Sequence, residues 1–176
     1  MKKIVLITTI FVFVSCFTKP ELNISPEQTV IWPSKIDTLP RGILVTHSPK
    51  EIFATPNTKD PEKHGKYQLK HSTTIETIKE DLEIIEFGGY FLINGEWVFK
   101  TIYDRPLNNE EFSKWYDCTN GVLRKGEKYT DKNNWMAKSN HLNQVSYRGL
   151  WYYIGKNKGG KLFTGASEIT GHLKMK

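Results

Sequence analysis

The sequence predicts a mixed α+β domain, mostly antiparallel β and sandwich-like or barrel-like, with one short helix. Three stretches carry that reading. "DLEIIEFGGYFLI" and "EWVFKTIY" are β-rich runs joined by Asn94-Gly95, the strongest short signal for a tight hairpin turn. "LNNEEFSKWYDCTNG" places Asn108 three residues before Glu111, and Phe112, Trp115 and Tyr116 recur at helical spacing. "GLWYYIGKNKGGKLFTGASEIT" reads as two strands around a Gly- and Lys-rich turn. With 176 residues, of which 38% are apolar and 12% aromatic, the chain is long enough for one core and short for two.

At the N-terminus Lys2 and Lys3 precede an apolar run from Ile4 to Val14, and Ser15 supplies a small residue before Cys16. This is the order of an export signal. The run is too short to span a bilayer as a helix, which needs about 20 residues. Signal, small residue and cysteine together resemble the lipobox of bacterial lipoproteins, with Phe13 where Leu or Val is usual. The resemblance implies cleavage before Cys16 and acylation of its thiol, so that palmitate-type chains hold the protein on a membrane it does not cross. A plain secretory signal is the alternative. Phe17 follows the cysteine where the lipoprotein pattern has Asp for inner-membrane retention, which implies a cell-envelope location at the outer membrane with the domain in the periplasm.

The expected organisation is a signal peptide at 1–15, a lipidated cysteine and Pro-rich tether at 16–41, and a single globular α+β domain at 42–176. Pro20, Pro26, Pro33 and Pro40 favour extended chain in the tether. Loss of the signal removes two of 25 basic residues against 19 acidic ones, and the net charge falls from +6 to about +4. A mildly basic exported protein meets anionic headgroups or envelope glycans, so no nucleic-acid partner is expected. With Cys16 acylated, Cys118 has no partner for an internal disulfide.

Within the tether "TVIW" at 29–32 is a candidate strand, and "GILVTHS" from Gly42 is the first convincing one. "ATPNTKDPEKHGKYQ" at 54–68 is loop by composition. "KHSTTIETI" is β-branched and strand-like. A two-residue type I′ turn at Asn94-Gly95 sets the hairpin register, with Leu92 opposite Trp97, Tyr90 opposite Phe99, Phe91 opposite Val98 and Phe87 opposite Ile102. Both faces are apolar, which predicts a central hairpin covered on two sides. Gly88-Gly89 marks a bulge or a close approach of another segment. The helix is expected from about Asn109 to Cys118, stopped at Asn120-Gly121. "GVLRKGEKYT" adds further strands.

"WYDCTNGVLRKG" at 115–126 and "WYYIGKNKGGKLFTG" at 151–165 share Trp-Tyr, a turn and Gly-x-Leu-x-x-Gly. In this the chain is similar to MORN-type hairpin repeats, a resemblance that implies strand, in place of helix, at 115–118.

Few residues point to chemistry. His47, His64, His71, His141 and His172 show no paired metal-ligand spacing, and His71, His141 and Cys118 are the candidates for a zinc or copper site if the fold gathers them. No cofactor is expected. Cys118 sits near a helix C-terminus, where the dipole disfavours a thiolate. Glu80, Asp81, Glu83 and Glu86 alternate with apolar residues as a solvated strand face does, and Glu111 serves as a cap. "GKNKGGKLFTG" lacks the Ser or Thr of a phosphate loop. The remaining candidates are aromatic: of Trp97, Trp115, Trp135, Trp151, Tyr152 and Tyr153, the last four are singled out as a ligand-binding patch, with "YTDKNNW" at 129–135 as its rim.

These readings predict a lipid-anchored envelope protein with a non-catalytic binding or scaffolding role and an envelope protein or glycan as partner. One alternative is an envelope enzyme or metal-dependent cupin-like protein acting on glycans or small molecules, with His71 and His141 in its pocket. The other is an inhibitor or immunity-type protein.

Overall fold

A computed structural model describes residues 31–176. The expected signal, Cys16, most of the tether and Thr29-Val30 lie outside the described residues. Within them the chain is a mostly antiparallel β structure with three short helices, an α+β fold of the predicted class.

The central layer is one large sheet. Its strands are β2 (Glu51–Phe53), β12 (Leu162–His172), β11 (Ser146–Lys156), β6 (Leu82–Ile93) and β7 (Glu96–Phe99), in that spatial order, with the short β8 (Val122–Leu123) paired to the start of β6. Only β2 runs parallel to its neighbour. Two smaller sheets pack on one face. One holds β1 (Ile43–Ser48), β5 (Ser72–Thr77) and β9 (Lys128–Asp131), and the other β10 (Trp135–Ser139), β4 (Tyr67–Lys70) and β3 (Thr55–Pro56).

Alternation along β11 explains why both faces need cover. Leu150, Tyr152 and Ile154 point one way, into a core cluster with Ile36, Trp32 and Trp97. Trp151 and Tyr153 point the other way. Tyr153 joins Phe87, Phe112, Tyr116 and Ile75 in the cluster under β1, β5 and β9. A third cluster, of Ile52, Leu69, Met136 and Ile169, lies under β3, β4 and β10. Trp151 touches both of these last two clusters and so marks the seam between them.

The β6–β7 hairpin has the turn chemistry predicted for it, with Asn94 at φ 52° and Gly95 at φ 86°. Tyr90, Phe91 and Leu92 pair with Phe99, Val98 and Trp97. The expected Phe87–Ile102 pair does not form, because β7 stops at Phe99 and Asp104 turns the chain at φ 52°, with the Thr101 hydroxyl donating to the Arg105 carbonyl. Phe87 instead exchanges both backbone hydrogen bonds with Leu107, at 3.0 and 2.8 Å. β6 is central, whereas β7 is the sheet edge and leaves Ile93 and Val98 exposed. Gly88-Gly89 is a place of close approach: a Cβ on Gly88 would stand 3.1 Å from the Tyr152 ring. The register shift in β6 falls earlier, opposite Ile154 and Gly155.

The helix expected after Pro106 is α3 (Asn109–Tyr116). (The preceding short helices are α1, Ser34–Asp37, and α2, Pro61–His64.) Asn108 accepts from the Glu111 backbone N–H, the Glu111 carboxylate accepts from that of Asn108, and Arg105 grips the same carboxylate with two bonds. The helix ends two residues earlier than expected, where Asp117 turns left-handed at φ 49° and the Cys118 N–H returns to the Ser113 carbonyl. Because Trp115-Tyr116 is helical and Trp151-Tyr152 is strand, the two copies of the sequence echo do not share a structure.

Two segments depart from the sequence reading. Residues 54–68, expected as loop, contain β3, α2 and the start of β4. Pro61 opens α2, where its missing N–H costs nothing, and the Asp60 carboxylate caps the Lys63 N–H. Residues 32–41, expected as the end of the tether, pack on the sheet. Ile36 is fully buried, Trp32 Nε1 donates to Glu168 at 3.0 Å, and Gly42 and Thr164 bond the segment's end to β12. Trp32 itself lies outside any strand.

Gly165 is where β1 crosses β12. A Cβ there would fall 2.1 Å from the Ile43 carbonyl oxygen, and backbone cannot yield as a side-chain end does. Gly165→Ala is expected to lower the unfolding free energy by about 3 kcal/mol, against about 1 kcal/mol for removing the cap in Asn108→Ala. Urea denaturation measures both, and equal losses would contradict the crossing argument.

Candidate functional site

The seam marked by Trp151 opens into a cleft of about 180 Å³. Three tryptophans meet there from three elements: Trp151 from β11, Trp115 from α3 and Trp135 from β10. A β-bulge between Trp135 and Ala137 lets the neighbours Trp135 and Met136 both line the space, where plain alternation would send one away. Phe91 and Gly89 form the β6 wall. Gly89 leaves room: the nearest atom to a Cβ built there is the Lys100 carbonyl at 3.4 Å, followed by the Trp151 ring at 3.8 Å. Lys100, Thr101 and Ile102, which follow β7 and adjoin Gly89 through the Lys100 N–H bond to the Gly89 carbonyl, continue the lining.

No carboxylate, histidine, cysteine or serine lines the cleft. Its hydroxyl at Thr101 is committed to the Arg105 carbonyl, and its Asn134 amide to Thr73 and to the Trp135 backbone. Such a space offers flat apolar faces, with no carboxylate or imidazole for acid–base work.

Of the four aromatic residues singled out from the sequence, the fold brings Trp135 and Trp151 together here. Tyr152 and Tyr153 are fully buried and belong to no surface patch. Tyr152 donates to Glu86, which also pairs with Lys35, and the Tyr153 hydroxyl meets that of Tyr116. Burial drives both tyrosine pKa values well above the ordinary phenol value. Trp115, assigned to a helix face by its spacing, completes the cleft. Its role was not readable before the helix was placed against β6.

The three candidate metal ligands do not converge. His71 is buried between β4 and β5, His141 is exposed after β10, and Cys118 is buried in the core beyond α3 with its pKa pushed up to about 11 by burial. Among the described residues no group of three His, Cys, Asp or Glu side chains is placed to hold a metal ion. The acidic residues of 80–86 are engaged outside the cleft: Asp81 with Arg124, Glu83 with Lys156, Glu86 with Lys35 and Tyr152, and Glu80 with Asn157. No helix among the described residues is long and apolar enough to cross a membrane.

Behind Trp151 lies a buried polar layer. His47 bonds Thr73 Oγ1 and the Ser167 carbonyl, both at 3.1 Å, and Asn134 donates to the same Thr73 oxygen at 2.9 Å. His71 packs edge-on to His47 with ring centres 5.2 Å apart, and Trp151 covers it at 6.3 Å. Neither ring nitrogen of His71 has a hydrogen-bond partner among the described residues. Burial, followed by the adjacent His47, pushes its pKa down to about 3, and burial lowers that of His47 as well.

The chain finds no match among family models, curated proteins or solved structures.

The histidines set a pH dependence. In the unfolded chain each takes up a proton near pH 6.5, while folded His71 stays neutral down to about pH 3. The unfolded state therefore binds more protons in that window, and stability falls as pH drops from 6.5 towards 3. His71→Leu is expected to flatten this slope, measured as the urea midpoint against pH. An unchanged slope would contradict neutral burial of the ring.

Proposed function

We propose that the protein is a lipid-anchored component of a bacterial envelope that binds, without chemical turnover, a sugar ring of an envelope glycan in the three-tryptophan cleft. The observation that carries this reading is the convergence of Trp115, Trp135 and Trp151 on a space lined by no carboxylate, imidazole or thiol. Pyranose rings present flat C–H faces that pack on indoles, and a Trp-lined pocket supplies that contact with little loss of side-chain freedom. The volume, about 180 Å³, is below the roughly 300 Å³ at which drug-sized sites begin, so it suits one ring of a longer chain. The envelope location rests on the resemblance of residues 1–16 to a lipoprotein signal. Acylation at Cys16 would confine the cleft to the surface where such glycans lie.

Two measurements test the parts separately. Metabolic labelling with a fatty acid should mark the wild type and leave Cys16→Ser unmarked, and label on the variant removes the anchor. For the cleft, full-length protein in mild detergent is applied to an array of bacterial oligosaccharides beside Gly89→Leu, whose side chain fills the space. The wild type should retain at least one glycan, and the variant should lose about tenfold or more in affinity with its melting temperature unchanged. Equal retention by both, or no glycan held by the wild type, overturns the assignment.

A further inference from the structure

Lysines stand on and beside the wall of the tryptophan cleft: Lys100 lines it, and Lys70 and Lys138 flank Trp135. Lys138 holds its ammonium 4.3 Å from the centre of the Trp135 ring. Lys70 lies directly across the β4–β10 ladder from Trp135. Neither lysine has a carboxylate within 4 Å among the described residues. In the cleft lining Lys100 reaches only Asp104, at 3.8 Å, and both of those side chains are largely exposed. Three arginines, by contrast, are closely paired: Arg105 with Glu111, Arg124 with Asp81 and Arg148 with Glu168, each at 2.7 Å. Lys70 and Lys138 thus place two cations without a carboxylate partner among the described residues beside Trp135, a residue of the cleft wall.

Lys138 makes a favourable cation–π contact with Trp135, yet its charge is partly desolvated. It is partly buried against an indole, and desolvation, followed by the charge of Lys70, lowers its pKa, with Asp60 opposing. Two like charges beside one aromatic ring are stabilised when an anion comes between them.

Resting on the glycan reading above, we propose that the cleft selects an acidic sugar, its ring stacked among the tryptophans and its carboxylate seated between Lys70 and Lys138. The geometry of a hexuronic acid fits this division. Its carboxylate projects from the ring edge, so the C–H face meets indole while the charge reaches the rim. A concave space for a single ring suits a glycan unit better than the flat plane of a lipid headgroup layer.

The test uses full-length protein in mild detergent and follows tryptophan fluorescence during titration with trigalacturonic acid and with its fully methyl-esterified form, in which each carboxylate is replaced by an uncharged methyl ester. Wild type should bind the acid about tenfold or more tightly than the ester, and Lys70→Gln with Lys138→Gln should erase that preference by weakening acid binding far more than ester binding. Equal affinity for acid and ester, or equal loss of both in the variant, overturns the charge selection and leaves the glycan reading standing. No response to either sugar, together with an empty array, overturns both. Glycerophosphorylglycerol, the soluble headgroup of an anionic lipid, serves as the competing probe. Lysine-dependent binding of that headgroup without binding of trigalacturonic acid also overturns the proposal.

Discussion

The two-residue period of β11 is the constraint from which the rest of this structure follows. Tyr152 and Tyr153 are adjacent and fully buried, so they enter opposite faces of the central sheet, and both faces must be closed against water. One face is closed by the segment of Trp32, Ile36 and Leu39. The other is closed by two small sheets and α3, which no single element bridges. Trp151 falls between the tyrosine-rich half and the leucine–methionine half of that cover, and its ring is left half-exposed. The cleft is thus a consequence of how the cover is divided, with indoles supplied by each of the elements that meet there.

The same seam carries the least settled part of the interior. Close-packed apolar clusters lie to either side of it, while His47, His71, Thr73 and Asn134 form a polar layer behind the cleft wall. Neither nitrogen of the buried His71 ring has a hydrogen-bond partner among the described residues, and each leaves a desolvated polar atom at a cost to stability. Here Asn134 links the layer to the cleft directly, through its amide to Thr73 and through its place in the lining.

Sequence pattern gave access to what is local. The Asn94-Gly95 turn, the capping box from Asn108 to Glu111 and the strands of 43–48, 72–77 and 146–172 are set by neighbours within a few residues, and each stands in the structure. What depended on distant partners was not legible. Phe87 pairs with Leu107 instead of Ile102 because a turn at Asp104 redirects the chain, and residues 54–68 gain strands by pairing with β10, some 70 positions on. Of the site, Trp135 and Trp151 were visible as aromatic candidates by composition. Tyr152 and Tyr153 shared that composition and were buried by the second layer, whereas Trp115 entered only because α3 docks on β6. The bare Gly89 wall carries no sequence signal for a cleft beyond the glycine itself.

The five tryptophans allow the central claim to be read residue by residue. Trp115, Trp135 and Trp151 face the cleft, while Trp32 and Trp97 lie on the opposite face of the sheet. In a nitrogen-15-labelled sample each indole N–H gives its own resonance, and trigalacturonic acid can be added stepwise. Saturable shifts of the three cleft indoles, with Trp32 and Trp97 unmoved, are the expected result. Shifts confined to Trp32 and Trp97, or spread evenly over all five, would place the ligand elsewhere and contradict the account.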